Sequence, residues 1–189
     1  MNQLVKAKKE LQSKVQNAWG DLVQLAGSER AAAAARESLY AALNANPDVA
    51  TCTPQSIASK LRAATAAGLS ISSGELGEAF LIPFDNRKKQ VKEAQLIVGV
   101  KGYKKLFQQS NMGTLYEAVI RTGDVFLATT PDVMPVHNYD MMDQERHKLG
   151  IVGAWSAVKL HVGGVVWHAM TYGEMIDHRN TYALSLIHI

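Results

Sequence analysis

Apolar residues in the first part of the chain recur at helical spacing. Leu4, Leu11, Val15, Trp19, Leu22 and Val23 mark one side of an amphipathic helix over residues 3–26, with Gly27 placed to stop it. Ser28 then caps a second helix, which runs through the alanines at 31–35 to about Asn46, where Asn46, Pro47 and Asp48 force a turn. Thr53 before Pro54 reads as an N-cap followed by a first-turn proline, predicting a third helix from Pro54 to about Ala67 that Gly68 ends. Ile57, Leu61, Ala64 and Leu69 would face the core.

After the glycine-containing stretch 70–77 the pattern shortens to strands. Residues 79–84 and 92–98 flank the polar turn 85–90, which predicts a hairpin with a basic tip. A helix over 101–111 follows, stopped near Gly113, then strands at 114–122, 125–129, 151–162 and 165–172, the last two joined through Gly163 and Gly164 in a second hairpin. Another helix begins at Glu174. Residues 131–150 show no periodicity and read as a long loop. The fold class that results is α+β: N-terminal helices packed on a small, mainly antiparallel sheet of hairpins, with a basic helix between strands.

Length and composition narrow this picture. The 189 residues suffice for one sizeable domain and predict one core, and 47% hydrophobic with 20% charged residues argues against wholesale disorder. No apolar run approaches the roughly 18 residues of a spanning helix, and the N-terminus lacks the apolar stretch of a signal peptide, so the expected location is the cytoplasm, away from membranes. A lone Cys52 excludes an internal disulfide and a cysteine-based zinc site. Charge is unevenly spread. Residues 1–121 hold 16 Lys/Arg against 10 Asp/Glu, whereas residues 122–189 hold 4 against 7, so an anionic partner is expected on the first part.

The segment 95–107 carries the clearest chemistry. Strand residues Leu96, Ile97 and Val98 lead through Gly99 and Gly102, which could let a ligand approach the backbone, into a helix start bearing Lys101, Lys104 and Lys105 beside Tyr103. The three lysines stand three and four residues apart and share a helical face, and Tyr103 offers a ring able to stack on a base. The hairpin tip adds Arg87, Lys88 and Lys89, which could track phosphates. Gly99 and Gly102 also match a GxxG clamp, but that clamp joins two helices and this one follows a strand. Other chemistry finds little support. The six histidines form no HExxH or paired-ligand spacing, the loop carboxylates Asp140, Asp143 and Glu145 lack a calcium-loop pattern, and no Walker-type GxxxxGK[ST] is present. For Phe84, Phe107, Trp155 and Trp167, core packing is the expected role.

An ordered set of landmarks then resembles a known family. Leu43 to Pro47, Cys52 to Pro54, Ala67 to Leu69, Leu76 with Gly77, Ala79 to Phe84, Gly99 to Tyr103 and Gly153 to Lys159 are similar to the RecT family of phage single-strand annealing proteins, relatives of the Red beta recombinase. The resemblance covers about residues 38–179. It implies an α+β core and ATP-independent annealing of complementary strands in homologous recombination, without bond chemistry or a cofactor, by a homo-oligomeric ring or helical filament in a phage-infected or lysogenic bacterium. It further implies that single-stranded DNA and the annealed duplex occupy a basic groove. Gly99, Lys101, Gly102 and Tyr103 would map to that groove, joined by Lys104, Lys105, Arg121 and Lys159. The expected organisation is an N-terminal helix at 1–27 available for subunit contact, a core at 28–179 and an atypical tail at 180–189. The family's C-terminal region, which meets a phage exonuclease or a host single-strand binding protein, would be missing from such a truncated chain. Two alternatives stay open: a sequence-specific DNA-binding accessory protein, and a phosphate-ester enzyme using Gly99 to Lys105 as an anion cradle with His137 and Asp140 in catalysis.

Overall fold

The computed structural model describes residues 3–72, 74 and 77–182, with side chains from residue 9 to 181. The side chain of Leu4, the landmark Leu76 and the tail from residue 183 lie outside the described residues. The chain is α+β and divides into two compact units, Met1–Gln109 and Ser110–Ile189. Where length alone predicts one core, the extended buried cluster draws only on residues between Leu11 and Leu96, all in the first unit.

The first unit opens with α1 (Gln3–Asn17), α2 (Trp19–Ala26) and α3 (Glu29–Ala45), a 3-10 turn at Pro47–Thr51, and α4 (Pro54–Ala66). The single helix expected over 3–26 is two. The backbone turns at Ala18 (φ −93°, ψ 9°), although Ala18 N–H still donates to the Lys14 carbonyl and Leu22 N–H to that of Ala18. Gly27 ends α2 in the left-handed region, and the Ser28 hydroxyl caps α3 by accepting from Ala31 N–H. Leu11, Val15 and Leu22 join Leu39, Leu43, Ile57 and Leu61 in the core, so the apolar side of α1 and α2 is spent inside the unit. Removing that area from water supplies the main stabilisation of the bundle.

The strands β1 (Ala79–Asn86) and β2 (Val91–Val98) form an antiparallel hairpin laid on α4. Ala79, Leu81 and Ala94 point inward and are buried, while the alternate residues point away. The N-terminus of α4 pins the outer edge of β2. Thr53 N–H donates to the Lys92 carbonyl, and the Ser56 hydroxyl accepts from Ala94 N–H, both at 2.9 Å. Those bonds make the Ala94–Pro83 pair one whose amides point outward, so Pro83, which has no N–H, costs the ladder nothing. Helix α5 (Val100–Ser110) follows directly.

In the second unit β3 (Gly113–Arg121), β6 (Ile151–Leu160) and β7 (Val165–Thr171) make an antiparallel sheet in the order β3–β6–β7. Helix α6 (Tyr172–Tyr182) returns against β6 and β7. It starts two residues before the expected Glu174 because Thr171 and Glu174 form a capping box, each side chain accepting from the other's backbone N–H. The segment read as a loop contains β5 (Val136–Asn138), paired with β4 (Val125–Leu127), and a 3-10 turn at Arg146–Lys148. The small sheet expected from sequence is thus three separate sheets among the described residues.

Candidate nucleic-acid interface

Gly99 and Gly102 serve the protein's own packing. A methyl group at Gly99 would lie 2.5 Å from the Gly77 carbonyl oxygen and 2.8 Å from the Phe80 ring; one at Gly102 would lie 2.1 Å from the Glu78 carbonyl oxygen and 2.7 Å from Val98 Cγ1. Gly99 N–H donates to that Glu78 carbonyl at 2.9 Å. The close approach that the glycines permit is therefore taken by the segment leading into β1, and Gly102 is buried. This corrects their reading as ligand-access positions.

The lysines of α5 divide. Lys101 is exposed at the first turn, next to Val100 (71% exposed) and Tyr103 (64% exposed). Lys104 is half-buried. Lys105 turns instead to Glu78, its Nζ lying 3.0 and 2.9 Å from the two carboxylate oxygens, and Glu78 also accepts from Ser70 N–H. Burial works to raise the Glu78 carboxyl, but the hydrogen bonds from Lys105 and Ser70 outweigh it and hold the group below its ordinary range. Lys105 is thus an anchor of α5 whose charge is already answered.

The hairpin tip divides in the same way. Lys89 pairs with Glu93 at 2.9 Å, and Asn86 donates to the other oxygen of that carboxylate, while Arg87 and Lys88 stay exposed in the turn. The register places the tip at the Asn86–Val91 pair and the α5 end at Ala79–Val98. Seven residue steps separate them, about 23 Å at roughly 3.3 Å per residue. The tip and the helix are two basic spots at opposite ends of the hairpin and do not form one cluster.

Arg121 and Lys159 belong to the second unit and are likewise apart. Lys159 is exposed opposite Thr114, whereas Arg121 lies at the far end of β3, again about 23 Å away by strand rise. Arg121 is also committed, donating from Nη1 to the carbonyls of His147 and Leu149 at 3.1 and 2.6 Å. It straps the irregular segment before β6.

Sequence reasoning did not find the best-built polar arrangement of the second unit. Asp124, with its side chain 4% exposed, accepts from Arg146 Nη2 at 2.6 Å and Nε at 3.1 Å, from Arg121 N–H at 2.8 Å and from His137 Nε2 at 3.0 Å. The Trp155 indole N–H, which can only donate, meets His137 Nδ1 at 3.0 Å. That fixes the histidine as its neutral Nε2–H tautomer, donating to Asp124. The Arg146 guanidinium lies 3.8 Å over the Tyr139 ring, and Phe126 meets His137 edge-on. Hydrogen bonds from Arg146, with those from Arg121 and His137, hold the Asp124 carboxyl well below the usual carboxylate range against the opposing effect of burial. These residues, from Arg121 to Trp155, span 35 positions with no repeating interval, and only the alternation of His137 and Tyr139 hints at β5.

This arrangement bears on the metal and enzyme readings. His137 has both ring nitrogens engaged and its side chain is 3% exposed; His147 and His161 hydrogen-bond the backbone carbonyls of Gln144 and Asn111. Asp140 and Asp143 accept from Met142 and Glu145 N–H within their own loop. Among the described residues, no three His, Cys, Asp or Glu side chains are placed to share a metal ion. His137 and Asp140, the residues that the phosphate-ester reading places in catalysis, thus hold structural hydrogen bonds. No described helix is long and apolar enough to cross a membrane.

A search of curated proteins returned no match. The model of the RecT family matches residues 33–185, from within α3 past the end of α6 and so across both units. The chain therefore belongs to the RecT family, a family of phage proteins that anneal single strands of DNA in recombination.

Proposed function

We propose that the chain binds single-stranded DNA and anneals it to its complement without ATP, acting as a homo-oligomer in the bacterial cytoplasm. Membership of residues 33–185 in the RecT family carries this reading. Lys101 and Tyr103 at the start of α5, Arg87 and Lys88 at the hairpin tip, and Lys159 on β6 are its exposed contacts, with Lys104 contributing from its half-buried position. Lys89, Lys105 and Arg121 support these surfaces through the partners they already hold.

The mechanism is electrostatic and geometric. Cations neutralise phosphates and lower the repulsion between two strands, while contact through the backbone and the base faces leaves the pairing edges free to test a complement. Self-assembly would use surfaces other than the buried side of α1 and α2. A phage exonuclease and a host single-strand binding protein are proposed partners through the family's C-terminal region, not through the surfaces named above. Mixing the purified chain with complementary oligonucleotides at low salt, with no nucleotide cofactor, should accelerate duplex formation. Failure to do so with demonstrably folded protein would sink the reading.

A further inference from the structure

We propose that the outward face of the β1–β2 hairpin is a base-stacking platform, along which a single strand of DNA runs between the two basic ends of the hairpin. The proposal deepens the annealing reading and rests on it. By register, Phe80, Ile82, Phe84 and Asn86 of β1 share this face with Val91, Glu93, Gln95 and Ile97 of β2, while Ala79, Leu81 and Ala94 point to the core. Five of these eight side chains are apolar, and of those Phe84 stays 49% exposed and Val91 is also exposed. The acid on it, Glu93, is answered by Lys89 and Asn86, so it does not repel a phosphate as a bare carboxylate would.

Charge decides between occupants. Arg87 and Lys88 stand at one end of the face. At the other, Gly99 brings the chain against the Phe80 ring, and Lys101 and Tyr103 emerge exposed one turn later. Rings and aliphatic side chains between terminal cations match a strand of bases with its phosphates, because every base has a stackable face and every linkage a negative charge. The span of about 23 Å accommodates about seven bases at the 3.4 Å spacing of a stacked strand, and fewer if the strand is stretched.

The test uses the full chain, fluorescence anisotropy, a labelled thymidine strand of about eight residues, and an abasic strand of equal length. Phe84→Ala should weaken binding to the thymidine strand about tenfold and leave binding to the abasic strand within about twofold. Phe84→Trp should keep the wild-type affinity, with indole emission quenched by the thymidine strand and not by the abasic one. Equal losses on both strands, or no loss on either, overturn the platform. So does a Phe84→Ala protein that keeps its preference for bases but sediments as a smaller assembly, which would assign the face to contact between copies. Failure of the unaltered chain to bind any single strand is a separate result that removes the annealing reading and the platform together.

Discussion

Gly102 and Lys101 are neighbours in the chain with opposite tasks, and substitution separates them. Gly102→Ala brings a methyl group within 2.1 Å of the Glu78 carbonyl oxygen, so the junction of β2 and α5 must shift. Overpacking of this kind costs about 1–3 kcal/mol, which urea unfolding would register as a lower midpoint. Lys101→Ala should leave that midpoint in place and flatten the log–log salt dependence of strand binding by about 0.7. Lys105→Met should do the reverse: with its ion pair to Glu78 already formed, its loss lowers stability and leaves the salt slope unchanged.

At the scale of elements, two polar connections tie neighbouring segments together. Ser56 ties α4 to β2 by accepting from the buried Ala94 N–H. Ser56→Ala strands that donor and should cost about 1–3 kcal/mol, measurable by denaturant titration. Asp124 ties the segment carrying β5 and Arg146 to the end of β3. Asp124→Asn removes the charge that Arg146 faces, so hydrogen exchange over residues 128–150 should quicken. The Asp124 carboxyl is depressed in the folded state. Its stabilisation is therefore fully present above the unfolded carboxylate value of about 3.9 and is lost as pH falls below it through the folded value. Acid unfolding should accordingly be steeper below about pH 4 in the unaltered chain than in Asp124→Asn.

For the molecule as a whole, the division into units is also a division of charge. Residues 1–109 carry 15 Lys/Arg against 9 Asp/Glu, and residues 110–189 carry 5 against 8. If each subunit neutralises about four phosphates, the salt slope per subunit should be about −3, read from binding isotherms over a range of ionic strengths. A slope near zero would remove phosphate neutralisation from the account.

Much of this architecture is legible without coordinates because it depends on neighbours in sequence. The caps at Ser28 and Thr53, the stop at Gly27, the core positions Ile57, Leu61, Ala64 and Leu69, and the hairpin with its polar tip all follow from local backbone chemistry and periodicity. The family landmarks are legible for the same reason, as ordered local runs. What only the tertiary structure decided is which charges are already answered. Lys105 meets Glu78 from 27 positions away, Arg146 meets Asp124 from 22, and the hairpin register parts Arg87 from Lys101. A sequence displays every cation as equivalent, whereas folding brings acids to some and leaves others facing water. That partner choice is set by packing between distant segments, which leave no periodic trace in the chain.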